Sequence, residues 1–210
     1  MTGPSRSRGT DISRDRVRRA LDIVLAVAFL VALAPVIAVV AGLVRWRLGS
    51  PVLFRQRRCG LHGKEFTILK FRTMREPDRP GQPDCQRETR LGSALRRMSL
   101  DELPQLVNVL RGEMSIIGPR PTLPEQVRHY SPRQRGRLVV RPGLTGWAQV
   151  CGRNALSWPE RIELDLWYIE NRSWRVDLRI VLRTIGHLVR PRGIVGAGGT
   201  NPGFPIPPQP

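Results

Sequence analysis

The longest apolar stretch of the chain lies near its amino terminus, where residues 23–44 carry no charged side chain. As a straight helix this stretch would be about 33 Å long, enough to cross a bilayer core of roughly 30 Å. Its length, and the lack of a small-residue cleavage site before a polar chain, argue against a signal peptide. The pattern therefore predicts a membrane segment, with Pro35 in its middle, where a proline breaks or kinks a helix.

Both flanks of this segment are basic. Arginines outnumber acids in residues 1–19, and residues 45–60 contain five arginines and no acid. Because basic flanks stay on the cytoplasmic side, a spanning helix would export one of them, whereas a helix that turns back at Pro35 keeps both inside. The flanks favour a re-entrant helix over residues 16–48, and a spanning helix is the alternative.

Charged residues also stand at the start of the membrane segment. Asp22 is expected to pair with Arg18 or Arg19 at the level of the lipid headgroups. These three residues and Pro35 are the candidate residues of a membrane hairpin. Before them, residues 1–15 read as a disordered basic arm.

The remaining pattern predicts one compact globular domain over residues 49–190 and a disordered tail rich in Pro and Gly over residues 191–210. The predicted fold class is α/β, mostly helical, with short strands. Within the domain the pattern predicts a strand, a mobile loop and four helices, in this order: strand 66–73, loop 76–86, and helices 89–97, 102–110, 159–170 and 177–190. Gly112 fits the end of the second helix.

The predicted helix over residues 177–190 is amphipathic, with arginines among its polar positions. A basic amphipathic helix can lie in a membrane interface. A helix packed on a protein core shows the same pattern, so both readings stay open on periodicity alone.

Composition narrows the possible functions of the 210-residue chain. Its formal net charge is +18, and all but two of its 35 basic residues, Lys64 and Lys70, are arginine. Arginine suits phosphates and anionic headgroups, although an arginine bias can also reflect genome base composition. The three cysteines form no CxxC pair and the three histidines no HExxH, which argues against zinc sites and metallopeptidase chemistry. The chain also lacks a P-loop and a GxGxxG motif.

Two adjacent carboxylates, Asp101 and Glu102, form the most informative motif. Pro104 is tolerated only in a first helical turn, which predicts Asp101 near the N-cap of a helix and Glu102 in its first turn. Paired carboxylates beside phosphate can hold Mg²⁺, and an ionised Asp can attack phosphorus to give a covalent intermediate. The simpler interpretation is that both residues are ordinary helix caps.

Basic residues surround this pair in the sequence. Arg96 precedes it, and Arg120 follows it between Pro119 and Pro121, which stiffen the backbone. Each of these arginines could also belong to an ordinary turn or helix. Lys70 and Arg72 share one face of the predicted strand, which could equally be a solvated edge strand.

A Gly-rich loop over residues 141–149 carries Trp147 and Gln149 and could hold a base or a sugar. A structural turn that packs a tryptophan is the alternative interpretation of the same loop.

The chain resembles the bacterial monotopic phosphoglycosyl transferases, also called bacterial sugar transferases, from about Arg18 to Ile194. The matching stretches are Arg18-Arg-Ala-Leu-Asp22, Pro35-Val-Ile37, Gly49-Ser-Pro-Val-Leu-Phe54 with Gln56 and Arg58, Gly63-Lys64, Lys70-Phe-Arg-Thr-Met74, Ser99-Leu-Asp-Glu-Leu-Pro-Gln-Leu106 with Asn108-Val-Leu110, Gly118-Pro-Arg-Pro121, Pro142-Gly-Leu-Thr-Gly-Trp-Ala-Gln149, Gly152-Arg-Asn154 and Leu164-Asp-Leu-Trp-Tyr168. So many ordered motifs make chance similarity improbable.

The resemblance implies an activity. Members of this family move a sugar-1-phosphate from a UDP-sugar to a polyprenol phosphate and release UMP. By resemblance, Asp101 is the nucleophile that forms a phosphosugar intermediate, and Asp101 and Glu102 hold Mg²⁺. The same resemblance assigns phosphate binding to Arg96 and Arg120, to which we add Lys70 and Arg72.

Four further residues are candidates for a nucleotide or sugar loop: Pro119, Pro121, Gln149 and Arg153. The resemblance also implies a re-entrant helix in the bacterial inner membrane, a catalytic domain on the cytoplasmic face, and an interfacial position for residues 177–190. A homodimer is left open.

The chain departs from the family pattern at three positions. The helix break is Ala34-Pro35, where the family has Ser-Pro, so a hydroxyl that could cap the broken backbone is missing. Cys59 stands where Pro is common, and Cys151 where Asn is common. The chain also lacks the additional membrane helices and domain of the larger members, so it resembles the minimal form.

Two rival functions follow from the same sequence. The charge of +18 could serve a membrane-tethered nucleic-acid-binding protein, but no helix-turn-helix, zinc finger or RNP motif accompanies it. We therefore expect no nucleic-acid partner. A scaffold with a decayed active site is the second rival, and the intact Asp101, Glu102 and Arg120 argue against it.

Overall fold

The computed structural model describes residues 8–79, 82–152 and 155–189. Its helices are α1 Arg8–Ala32, α2 Ala34–Leu48, α3 Asp84–Arg87, α4 Arg90–Arg97, α5 Gln105–Arg111, α6 Pro124–Arg128, α7 Trp147–Cys151, α8 Trp158–Glu170 and α9 Trp174–Val189. Its strands are β1 Leu53–Cys59, β2 Glu65–Phe71, β3 Ser115–Ile117 and β4 Gly143–Thr145, and short 3₁₀ turns lie at Leu61–Gly63, Leu100–Glu102 and Gln134–Val139. The described part is mostly helical with short strands, as the sequence predicts.

The amino-terminal segment forms two helices joined at Leu33. α1 and α2 are bent by 64° relative to each other, and Pro35 lies in the first turn of α2, where its missing N–H costs nothing. Among the described helices, none alone is long and apolar enough to cross a membrane, whereas this bent pair together is. The predicted break beside Pro35 is confirmed.

Part of this helix pair is buried against the domain. Ala26 of α1 lies in one core cluster with residues of β2 and α5, including Phe66, Leu106 and Val109. In a second cluster, residues of α2 pack on Phe71 of β2 and on α4. The helix pair and the domain therefore share a hydrophobic core.

Two small sheets complete the described architecture. β1 and β2 form an antiparallel hairpin whose register runs from Leu53 opposite Phe71 to Cys59 opposite Glu65. β3 and β4 pair in parallel, with Ser115 opposite Gly143. β3 follows shortly after α5 in the chain, and β4 comes much later. Their pairing therefore brings the segment around β4 close to the end of α5.

Most predicted helices and strands lie where the structure has them, but their first and last residues differ. β2, α4, α8 and α9 each overlap a predicted element, and Thr89 caps α4 by accepting a hydrogen bond from the Gly92 N–H at 3.0 Å. The strand β1 was not predicted, because Arg55, Arg57 and Arg58 interrupt its apolar pattern. The predicted loop 76–86 contains the start of the short helix α3.

The first boundary needs correction. α1 already begins at Arg8, within the stretch of residues 1–15 that was predicted as a disordered arm. The predicted tail over residues 191–210 lies outside the described residues, as do residues 1–7.

Close packing of α4 gives a first testable prediction. A Cβ atom at Gly92 would lie 1.8 Å from the Thr73 carbonyl oxygen, a backbone atom that cannot move aside alone. We expect Gly92→Ala to destabilise the protein by about 1–3 kcal/mol through overpacking. The measurement is the unfolding free energy in denaturant.

Gly186 provides the matched control for this prediction. It lies within α9, and a Cβ there would meet nothing within 4 Å. Gly186→Ala should therefore raise stability by about 0.5–1 kcal/mol, because alanine loses less entropy in a helix. Equal effects of the two substitutions would contradict the packing described for Gly92.

Candidate active site

Asp101 and Glu102 lie in a 3₁₀ turn that leads into α5, which itself begins only at Gln105. The turn starts at Ser99, whose φ of 56° is in the left-handed region. Its hydrogen bonds join residues three apart, as from the Leu103 N–H to the Leu100 carbonyl at 3.3 Å. The predicted helix start at Glu102, with Asp101 near its N-cap, is therefore wrong. Pro104, which has no N–H to donate, is the N-cap residue of α5.

Glu102 is held by two cations from different parts of the chain. Its Oε1 accepts a hydrogen bond from Lys70 Nζ at 2.6 Å and one from Arg120 Nη2 at 3.0 Å. Lys70 comes from β2, and Arg120 from the segment that follows β3. Three separate segments thus meet at one carboxylate, as the candidate residues Lys70, Glu102 and Arg120 predict.

The two carboxyl groups of the pair have opposite electrostatic environments. Lys70 and Arg120 outweigh burial and hold the pKa of Glu102 well below its usual range. Asp101 is buried, with 7% of its surface exposed, and burial together with the Glu102 charge raises its pKa. Lys70 and Arg120 act on Asp101 in the opposite direction but do not cancel this effect. The pair therefore combines a firmly ionised carboxylate with a more basic neighbour.

The lowered pKa of Glu102 predicts a pH dependence of stability. A carboxylate whose pKa is lower in the folded chain stabilises the fold above its unfolded pKa of about 4.3, and this stabilisation is lost as the pH falls. Without added metal, wild type should exceed Glu102→Gln in unfolding free energy at about pH 7. We expect this difference to shrink below about pH 5. A difference that stays constant down to about pH 3 would show that Glu102 does not titrate as described.

Asn108, one of the fully buried side chains, fixes α5 against β2. Its Oδ1 accepts the Leu69 N–H at 3.1 Å, and its Nδ2 donates to the Thr67 carbonyl at 2.7 Å. Asn108 therefore replaces a strand partner for β2 and sets the position of Lys70 relative to Glu102. Asn108 stands in one of the motifs shared with the family, but the sequence pattern alone predicted no role for it.

Arg120 is positioned through its backbone. Gly143 N–H donates to the Pro119 carbonyl at 2.8 Å, and Arg137 Nη2 donates to the Arg120 carbonyl at 3.3 Å. Arg137 in turn forms a buried ion pair with Asp165 of α8, at 2.5 Å between Nη2 and Oδ2. This support was not predicted, because no short spacing joins Arg137 to Asp165.

Two predicted phosphate-binding arginines have other partners. Arg96 Nη2 binds Glu88 Oε1 at 2.7 Å, and its Nη1 binds the Thr73 hydroxyl at 3.2 Å. Arg72 is buried and donates to the carbonyls of Leu48 and Ser50, at the end of α2. Its Nη1 also pairs with Glu76 Oε1 at 2.8 Å. The structure therefore does not bring Arg72 to Glu102 beside Lys70, because these partners hold its guanidinium elsewhere.

The candidate loop residues are only partly at this site. Pro119 and Pro121 flank Arg120, and the Pro121 carbonyl accepts a hydrogen bond from Arg58 Nη1 at 3.3 Å. Gln149 lies in α7 and donates to the Leu144 carbonyl at 3.1 Å, so it belongs to a short helix and not to an open loop. Arg153 lies outside the described residues.

The charged residues of α1 bind the domain and do not pair with one another as predicted. Arg18 forms an ion pair with Asp177 of α9 at 2.7 Å. Arg19 donates to the Val109 and Leu110 carbonyls at the end of α5, and Asp22 accepts the Ile116 N–H at 2.9 Å. The expected pairing of Asp22 with Arg18 or Arg19 is therefore wrong: each residue connects the helix pair to the domain.

The chain matches a known protein family over most of its length, including the residues of this site. Residues 13–191 match the family described as bacterial sugar transferase. The chain belongs to the bacterial sugar transferase family. The resemblance carried by the motifs around Asp101 and Arg120 is thus confirmed at the level of the family.

Several relatives of this bacterial sugar transferase have curated names. It is 45% identical over 181 residues to "Uncharacterized sugar transferase EpsL" of Bacillus subtilis (strain 168), covering 85% of this chain and 90% of the relative. It is 40% identical over 196 residues to "Exopolysaccharide production protein ExoY" of Sinorhizobium fredii, covering 84% and 87%. It is 46% identical over 184 residues to a Xanthomonas campestris pv. campestris protein, covering 80% of this chain and 38% of the relative.

The Xanthomonas relative is named UDP-glucose:undecaprenyl-phosphate glucose-1-phosphate transferase. An Aeromonas hydrophila relative is named UDP-N-acetylgalactosamine-undecaprenyl-phosphate N-acetylgalactosaminephosphotransferase. This bacterial sugar transferase is accordingly an enzyme, a transferase of the phosphoglycosyl kind.

The site offers few carboxylates that could bind a metal ion. Among the residues that the structure describes, no group of three or more His, Cys, Asp or Glu side chains could hold a metal ion. Asp101 and Glu102 are a pair, and both described hydrogen bonds of Glu102 use Oε1. Such a pair fits Mg²⁺, which typically binds one or two carboxylates and completes its octahedron with water and substrate phosphate.

Proposed function

We propose that this enzyme transfers a sugar-1-phosphate from a UDP-sugar to a polyprenol phosphate and releases UMP. The observation that carries the proposal is the pair Asp101 and Glu102, held between Lys70 and Arg120. The names of the relatives support the donor and acceptor classes, because they specify UDP-sugars and undecaprenyl phosphate. Two relatives are named as exopolysaccharide production proteins, which supports a role in making exopolysaccharide or a related glycoconjugate.

The reaction proceeds in two displacements at one phosphorus atom. In the first, an Asp101 oxygen attacks the sugar-side phosphorus, the bond to the bridging oxygen breaks, and UMP leaves with the electron pair. In the second, an oxygen of polyprenol phosphate attacks the same phosphorus and frees the Asp101 carboxylate. Asp101 suits the first step because burial and Glu102 raise its pKa, which makes an ionised carboxylate a better nucleophile.

Glu102 has a different part in this proposal. Its carboxylate holds the ammonium of Lys70 and the guanidinium of Arg120 beside Asp101. These cations stabilise the negative charge that develops on the transferred phosphoryl group. Because they are already ordered, little reorganisation is needed when the donor binds.

Mg²⁺ is part of the proposal as a cofactor. Asp101 and Glu102 would hold it together with oxygens of the donor diphosphate. When bound, the ion would neutralise diphosphate charge and polarise the phosphoryl oxygens.

We also propose that the bent pair α1 and α2 is re-entrant in the bacterial inner membrane, with the domain on the cytoplasmic face. Large apolar side chains along the pair are exposed, including Val24 at 63%, Val31 at 72% and Val39 at 62%. Arg45 and Arg47 stand in the last turn of α2, where they can reach lipid phosphates.

An exposed apolar stripe on α9 supports the same orientation. Its members recur at helical spacing and are Trp174, Leu178, Leu182, Ile185 and Leu188, exposed by 46%, 60%, 61%, 53% and 45%. The Arg18–Asp177 ion pair joins α9 to α1. We propose that α9 lies in the membrane interface next to the point where α1 enters.

Membrane topology can be tested by cysteine labelling. Cys85 and Cys151 are both exposed, so both test proteins carry Cys151→Ser. One keeps Cys85, and the other carries Ser5→Cys with Cys85→Ser. Both cysteines should react with an impermeant maleimide only when the cytoplasmic side is accessible. Labelling of the two positions from opposite sides would mean a spanning segment.

The nucleotide product tests the proposed reaction. Membranes containing the enzyme are mixed with a panel of UDP-sugars, Mg²⁺ and polyprenol phosphate. We expect UMP from at least one donor and loss of this release on chelation. Release beyond one equivalent per enzyme should depend on polyprenol phosphate, because the acceptor frees Asp101 for the next turnover. UDP as the product would mean ordinary glycosyl transfer and would contradict the proposed chemistry.

A further inference from the structure

Arg58 lies beside the site but has no role in the reaction described so far. It is on β1, and its guanidinium donates from Nη1 to the Pro121 carbonyl at 3.3 Å and from Nη2 to Gln56 Oε1 at 2.6 Å. Pro121 follows Arg120 directly. Arg58 therefore packs against the segment that carries Arg120 to Glu102.

The guanidinium of Arg58 is partly buried and, among the residues that the structure describes, has no acid in direct contact. In the described part of the chain it contacts no carboxylate, and its Nε is buried without a hydrogen-bond partner. The other arginines that support the site are paired: Arg120 with Glu102, and Arg137 with Asp165. Partial burial of a cation without a directly paired anion is unfavourable, so Arg58 can gain from binding an anion through its remaining donors.

Charge at the site points the same way. Burial and the neighbouring Arg120 charge lower the pKa of Arg58 to about 10, while Glu102 and Glu125 act in the opposite direction. Arg58 is therefore still charged at neutral pH, and it is near enough to both residues to be affected by them. A phosphate would relieve its repulsion with Arg120 and offset the cost of its burial.

We propose that Arg58 is a binding residue for the nucleotide-side phosphate of the UDP-sugar. This inference rests on the proposed function. The assignment to this phosphate follows from connectivity: Lys70 and Arg120 already contact Glu102 next to the nucleophile, whereas Arg58 contacts the Arg120 segment at Pro121, not the carboxylate pair.

In the first displacement, the bond between the sugar-side phosphorus and the bridging oxygen breaks, and its electron pair passes to UMP. No proton transfer is needed, because UMP leaves as an oxyanion. A guanidinium on that phosphate stabilises the new charge through charge-assisted hydrogen bonds. Arg58 should therefore contribute both to donor binding and to the retention of UMP.

Binding of UMP to the purified full chain tests the inference directly. Titration calorimetry with UMP compares wild type, Arg58→Gln, Arg58→Lys and the control Arg57→Gln. Arg57 is the adjacent residue on β1, 77% exposed and paired with Glu65. We expect Arg58→Gln to weaken UMP binding about 10- to 100-fold, Arg58→Lys to weaken it less, and Arg57→Gln to leave it unchanged.

Steady-state kinetics separate this role from a structural one. Arg58→Gln should raise KM for the UDP-sugar by a similar factor while KM for polyprenol phosphate and the melting temperature stay near wild type. If Arg58 only supports Pro121, both KM values and the melting temperature change together, and the inference is wrong. Unchanged UMP affinity in both Arg58 variants would also overturn the inference, even if the wild-type enzyme releases UMP. The proposed function has its own test, because it fails if the wild-type enzyme releases UDP.

Discussion

Replacing Asp101 by asparagine is expected to abolish UMP release while leaving the fold intact. The amide cannot attack phosphorus, so the first displacement has no nucleophile, and we expect turnover to fall by about four orders of magnitude or more. The substitution is nearly isosteric, and it removes a buried carboxyl that burial and Glu102 already disfavour as an anion. Stability should therefore stay the same or rise slightly.

The measurement is UMP release per enzyme, with the melting temperature of each variant beside it. Asp78→Asn is a suitable control, because Asp78 is exposed in the loop after β2 and should retain full activity. An Asp101→Asn protein with more than about one per cent of wild-type turnover would contradict the assignment, because a lost nucleophile costs far more.

Asp165→Asn is expected to have the largest effect on stability. Asp165 and Arg137 are both 3% exposed as side chains and form an ion pair at 2.5 Å. Removing one charge leaves the other buried without a partner, which costs about 3–5 kcal/mol. Because Arg137 also donates to the Arg120 carbonyl, activity should fall as well.

A second ion pair on α8 provides the control for this effect. Glu163, two residues before Asp165 on the same helix, pairs with Arg133 at 2.7 Å. This pair is exposed: 57% of the Glu163 side chain and 65% of the Arg133 side chain are accessible to solvent. Glu163→Gln should change the unfolding free energy little, because solvent screens an exposed pair. Similar losses for Asp165→Asn and Glu163→Gln in denaturant unfolding would show that burial does not set the strength of the inner pair.

Local patterns in the sequence predicted much of the fold. Periodicity located β2, α8 and α9, and the break at Pro35 followed from the chemistry of proline. The strand β1 was not predicted because three arginines interrupt its apolar positions; in the structure Arg55 and Arg57 are exposed, whereas Arg58 on the other face is only partly so. The helix start at the carboxylate pair was placed too early, because Pro104 is compatible with either a first turn or a preceding 3₁₀ turn.

The candidate site was predicted less completely than the fold. Asp101, Glu102, Lys70 and Arg120 were identified from residue type and position, and the structure brings them together. The supporting contacts were not predicted, since they join residues far apart in sequence. Arg137 and Asp165 are an example: the ion pair depends on how α8 packs, which no short motif encodes.

Arg72 is a residue that the sequence pattern predicted at the site and that the structure places elsewhere. Alternation on a strand placed Arg72 beside Lys70, but β2 ends at Phe71, and the Arg72 guanidinium instead caps the end of α2. Free carbonyls at the end of α2 thus decide the position of the Arg72 side chain, and the alternation of residues on a strand contains no information about them.

The mass of the intact protein after incubation with donor alone tests the central claim most directly. With a UDP-sugar, Mg²⁺ and no polyprenol phosphate, we expect the protein to gain the mass of one sugar-phosphate group and to release one equivalent of UMP. Peptide mapping should locate the adduct on Asp101, and polyprenol phosphate should remove it. Rapid UMP release without any adduct, or an adduct on another residue, would contradict the covalent mechanism proposed for Asp101.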